Sequence, residues 1–134
     1  MEIAIRVDGT KDIGAGHVMR CYALSEELTK RKHKCFFVSN IDSEQIINKI
    51  IKTNIFQKIN TAPSQKKDLD FLLKFSKENK IKWIITDNYH ISMEYIKKLK
   101  QHGFKIVSID DTAKIHYHSD IVVNQNIGAE TICF

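Results

Sequence analysis

Hydrophobic residues arrive in short blocks separated by polar, lysine-rich stretches with helical periodicity. Residues 3–7 (Ile3, Ala4, Ile5, Arg6, Val7) form a β-type run ending at Asp8-Gly9, and residues 34–39, with Cys35, Phe36, Phe37 and Val38, form a second. Between them, Cys21, Leu24 and Leu28 recur at helical spacing over residues 17–32, and Lys30, Arg31 and Lys32 fall in the last turn, where cations suit the helix dipole. The alternation continues with a helix near 43–52, a strand near 55–59, a turn at Ala62-Pro63-Ser64 and a helix near 66–79. A strand at 83–86, a helix at 92–102 closed by Gly103, a strand at 104–109 and a short strand at 120–123 complete it. Strands alternating with helices predict a doubly wound, parallel α/β sheet covered on both faces.

The length of 134 residues and the 43% hydrophobic content suit one domain, 1–134, with its own core. No uncharged run approaches the roughly 18 residues that span a bilayer, so no membrane span is expected and the cytoplasm is the expected location. Cys21, Cys35 and Cys133 lack CxxC spacing, which suits a reducing compartment and predicts neither a disulfide nor a structural metal. The net charge of +5 arises from 21 basic and 16 acidic residues, with the lysines spread along the helices as a solvated surface. Without an arginine stripe or interleaved aromatics, nucleic acid is not an expected partner.

Ligands of such sheets bind at the carboxyl ends of the strands, where three polar clusters fall. The first is the loop from Asp8 to His17, in which Gly14 and Gly16 allow close backbone approach and the helix N-terminus favours an anion. It is not a Walker A loop, since Gly-Lys-Ser/Thr is missing, and Met19 occupies the third glycine position of GxGxxG. His17 adds specificity: the helix dipole disfavours an imidazolium there, leaving a ring nitrogen to take a proton from water. A helix-capping or packing role is the alternative. The second cluster, Asp87-Asn88-Tyr89-His90, offers donors and acceptors for sugar hydroxyls or acetamido groups, or is a polar turn with Asp87 or Ser92 capping the next helix. The third runs from Asp110-Asp111 to Asn124-Gln125-Asn126, where paired carboxylates bind a cation or, more commonly, fix a loop. His116 and His118 lack companion ligands and read as loop residues.

The string Ile13-Gly14-Ala15-Gly16-His17-Val18-Met19-Arg20 resembles the G-x-G-H-x-x-R signature of the UDP-sugar hydrolases of the pseudaminic acid pathway and the related spore-coat polysaccharide protein SpsG. Arg6-Val7-Asp8, Asp87-Asn88-Tyr89, Asp110-Asp111 and Asn124 to Ala129 recur in the same order, so the resemblance covers essentially the whole chain. It implies a Rossmann-like domain forming the N-terminal half of a GT-B-like fold. It also implies release of UDP, with inversion and without a cofactor, from UDP-2,4-diacetamido-2,4,6-trideoxy-β-L-altropyranose. His17 would be the general base, Tyr89 would lie in the sugar pocket, and Asp8, Gly14, Gly16, Arg20, Asp87, Asp110, Asp111, Asn124 and Asn126 would contribute to substrate binding. The C-terminal nucleotide-binding domain falls outside this sequence and is the expected partner, in cis or in trans. A glycosyltransferase half-domain and a non-catalytic binding or scaffold module are the competing readings.

Overall fold

The computed structural model describes residues 1–110 and 118–124. The elements follow in the order β1 (Glu2–Val7), α1 (Gly16–Lys30), β2 (Lys34–Ser39), α2 (Glu44–Ile50), β3 (Ile55–Lys58), α3 (Lys66–Glu78), β4 (Trp83–Asp87), α4 (Met93–Gln101), β5 (Lys105–Ile109) and β6 (Ile121–Val123). All pairings are parallel and the sheet order is β3-β2-β1-β4-β5-β6, the Rossmann-like doubly wound arrangement that the alternating pattern predicts.

Central strands of a parallel sheet are buried on both faces and therefore read as nearly continuous apolar runs. Residues 3–9 are all buried. Ile3, Ile5 and Val7 join Cys35 and Phe37 beneath Val18 and Cys21 of α1 and Ile50 of α2. Ala4 points the other way, with Phe36, Val38 and Ile84, onto Leu69 and Leu72 of α3 and Tyr95, Ile96 and Leu99 of α4. Each fully buried Ile or Leu contributes about 1.5–3 kcal/mol relative to exposure. Edge strands β3 and β6 are only partly covered.

Ser43 and Ser92 cap α2 and α4 by accepting from the N–H groups of Ile46 and Tyr95, so Ser92, rather than Asp87, is the cap of α4. At its C-terminus, the ring Nδ1 of His102 lies 2.8 Å from the Lys98 carbonyl and Gly103 follows at φ +91°. Lys32 and Lys80 adopt the same left-handed conformation after α1 and α3, at φ 67° and 57°. The first helix thus stops at Lys30 although the cationic run continues to Lys32. No helix among the described residues is long and apolar enough to cross a membrane.

Candidate active site at the switch point

The chain leaves β1 toward β2 and β3 on one side, and β4, β5 and β6 extend on the other, so the crevice lies between the carboxyl ends of β1 and β4. Val7 and Asp87 are register partners at that point. From β1 the backbone turns through Gly9, where a Cβ would come 2.7 Å from Val18 Cγ2, so only glycine allows the loop to lie this close to α1. Thr10 then accepts from the N–H groups of Ile13 and Gly14, and Gly14 sits at φ +82°. A Cβ at Gly14 or Gly16 would meet no protein atom within 4 Å, so both glycines face open space.

His17, in the first turn of α1, places Nδ1 2.6 Å from Asp87 Oδ1. A carboxylate only accepts, so this contact fixes the proton on Nδ1 and leaves Nε2 as the acceptor. Arg20, one turn further along α1, donates from Nε to Asp87 Oδ2 at 2.5 Å and from Nη2 to Oδ1 at 2.6 Å, balancing the charge of a side chain only 1% exposed. Its Nη2 also lies 3.1 Å from His17 Nδ1. Guanidinium cannot accept, so with the proton on Nδ1 this is a close approach and not a hydrogen bond. Tyr89 meets the His17 ring edge to face at 4.8 Å and is 63% exposed. Ile13, His17, Asp87, Asn88, Tyr89 and His90 line a cavity of about 20 Å³, space for one water.

Cys21 donates to Asp87 Oδ2 at 3.5 Å; burial, and then the Asp87 charge, push its thiol well above the ordinary range, which makes a thiolate nucleophile untenable there. Burial also raises Cys35 to about 11. In the native protein neither Cys21 nor Cys35 is expected to be alkylated by iodoacetamide at mildly alkaline pH, and both are expected to react in urea, as peptide mapping by mass spectrometry would record.

Asp8 is buried: Oδ1 accepts from Arg6 and from the Asn40 N–H, and Oδ2 from Arg6 and Asn88. It belongs to a cluster in which Arg6 also pairs with Asp68 of α3, which accepts from Tyr95 and Thr61. Burial opposes the Arg6 charge, yet hydrogen bonds to Asp68 and Asp8 outweigh it and hold the guanidinium above its ordinary pKa. Asp110 lies buried at the end of β5, its N–H donating to the Val123 carbonyl, and half-buried Asn124 follows β6. Asp111 and Asn126 lie outside the described residues. Sequence reasoning assigned no site role to Arg6, Asp68 or Tyr95, and it placed Asn88 in the polar cluster after β4 without its tie to Asp8; an arginine within the apolar run of β1 is the one local signal of the buried cluster. Among the described residues, no three His, Cys, Asp or Glu side chains gather as metal ligands.

No protein-family model matches the chain. It is 32% identical over 132 residues to an uncharacterized protein of Methanocaldococcus jannaschii, covering 97% of this chain and 26% of that protein. It is 28% identical over 134 residues to UDP-2,4-diacetamido-2,4,6-trideoxy-beta-L-altropyranose hydrolase of Campylobacter jejuni, covering 97% of this chain and 43% of the hydrolase. Thus the chain spans less than half the length of these curated relatives. Among solved structures, MurG of Acinetobacter baumannii superposes with a TM-score of 0.64 at 11% identity, over 90% of this chain and 40% of MurG. RSP, a Rex-family repressor, gives a TM-score of 0.54 at 14% identity, over 97% of this chain and 55% of RSP. At those identities the structural likenesses establish the fold alone. Along nearly its whole length, this Rossmann-like chain resembles part of the Campylobacter jejuni UDP-sugar hydrolase.

Proposed function

We propose that the chain is the base-bearing, N-terminal half of a two-domain nucleotide-sugar hydrolase with a GT-B-like arrangement, acting in pseudaminic acid-type polysaccharide biosynthesis. The observation that carries this reading is the His17–Asp87 pair beside a one-water cavity at the switch point. The 28% identity to a UDP-sugar hydrolase supports the substrate class. In the proposed reaction, His17 Nε2 takes a proton from water while the water oxygen bonds to the anomeric carbon. The bond from that carbon to the diphosphate oxygen breaks, UDP leaves with the electron pair, and configuration inverts. Asp87 holds the ring and stabilises the imidazolium as it forms, the role a carboxylate plays behind a catalytic histidine. A second, nucleotide-binding half holds UDP.

The test uses the full-length protein that contains this chain, supplied with UDP-2,4-diacetamido-2,4,6-trideoxy-β-L-altropyranose and no acceptor sugar. UDP and free sugar are expected in equal amounts. UDP release that requires an acceptor would identify glycosyl transfer, and absence of turnover would favour a binding module; either result overturns the proposal.

A further inference from the structure

Beside the water cavity, a cleft of about 410 Å³ opens at the carboxyl ends of β1, β2 and β3. The two share Ile13 and His90, so a ligand filling the cleft reaches the edge of the water-sized cavity. We propose that this cleft receives the neutral, acetamido-bearing sugar of the substrate and excludes the diphosphate, an assignment that rests on reading the site as a nucleotide-sugar hydrolase.

The volume falls within the range of small-molecule sites, about 300–1,000 Å³. Its wall combines the uncharged hydrogen-bonding side chains of Thr10, Asn40, Asn60, Ser64 and Gln65 with apolar surface from Ala62 and Pro63. Hydroxyl and amide groups suit the former, and acetamido or deoxy-sugar methyl groups the latter. Among the described residues, no lysine or arginine lines the cleft. The ammonium of nearby Lys58 is instead hydrogen-bonded to Asn40 Oδ1 and the Ile41 carbonyl.

Charge decides against the diphosphate. Beneath the cleft, one guanidinium, Arg6, lies between two carboxylates, Asp8 and Asp68, and exposed Asp12 lies on the rim. Counted with Lys58 on Asn40, the three carboxylates still outnumber the two cations, so a diphosphate would be disfavoured, whereas the positive charge that develops on the sugar ring as UDP departs would be favoured. The wall is also built in advance. Arg6 Nη2 donates to the Thr61 carbonyl, Thr61 Oγ1 donates to Asp68, and the Ala62 N–H donates to Gln65 Oε1 while the Gln65 N–H donates to the Ala62 carbonyl.

Two readouts test the assignment. In NMR titrations of the labelled full-length protein, free 2,4-diacetamido-2,4,6-trideoxy-L-altrose is expected to shift the amides of residues 60–65, and UDP alone to leave them in place. Shifts of these amides by UDP, or none by the sugar, overturn the proposal. The exposed double variant Asn60→Ala/Ser64→Ala is expected to raise KM for the UDP-sugar about tenfold, as for two lost hydrogen bonds, while competitive inhibition by UDP stays unchanged. An unchanged KM, or a parallel loss of UDP inhibition, overturns it. The binding readout stands apart from catalysis: sugar-induced shifts without hydrolysis would sink the hydrolase reading alone, and hydrolysis without such shifts would sink only the cleft.

Discussion

His17→Ala is expected to lower kcat for UDP release by about 10²–10⁴-fold, the range that a positioned general base contributes. KM for the UDP-sugar should change little, because the imidazole acts on the water and its proton and not on the nucleotide, so the loss appears in the transition state alone. A rise in KM at constant kcat would make His17 a binding group, and a full rate in the variant would remove it from the mechanism. Asp87→Asn is the companion variant. Its amide meets His17 with the oxygen and Arg20 with the nitrogen, or the reverse; one arrangement sets two donors against each other, and the other favours the proton on Nε2, where the base must accept. A fall in kcat with Asp87→Asn as well as with His17→Ala is therefore expected, measured by the same UDP-release assay, and the two losses should not add, because both groups act as one unit.

The architecture was legible because it rests on local information. Each apolar run and each helical repeat occupies a contiguous window, and alternation of the two restricts the topology to a doubly wound parallel sheet. That placed the Gly14–His17 loop and Asp87 at the same end of the sheet. The pairing itself was not legible: His17 and Asp87 are 70 residues apart, and a polar turn after a strand looks the same whether its aspartate caps a helix, meets a ligand or holds a histidine. Similarly, Arg6 and Asp68 lie 62 residues apart, so the buried cluster that Asp8 joins was invisible in the sequence. The helix ends at Lys32 and Lys80 were hidden for another reason. A left-handed lysine carries a cost of roughly 1–2 kcal/mol that the surrounding fold imposes and no local signal announces.

The buried cluster carries the second large effect, on stability. Arg6 is fully buried and supplies hydrogen bonds to Asp8, Asp68 and the carbonyls of Val38 and Thr61, linking β1 to β2, to the loop before α3 and to α3 itself. Arg6→Met preserves much of the volume but leaves two buried carboxylates without their cation, and such a change costs about 3–5 kcal/mol. Against a total stability of about 5–15 kcal/mol, that is enough to lower the urea midpoint sharply. Arg6→Lys keeps the charge but cannot form the fork to both carboxylates, so an intermediate loss is expected. The cause is separable from simple packing by the double variant Arg6→Met/Asp68→Leu. If unpaired charge dominates, removing the second carboxylate restores part of the lost stability, and the double variant melts above the single one. If the cost lies in lost packing and backbone hydrogen bonds, the second substitution adds to the first, and the cluster would then be a scaffold for the cleft wall without electrostatic consequence for it.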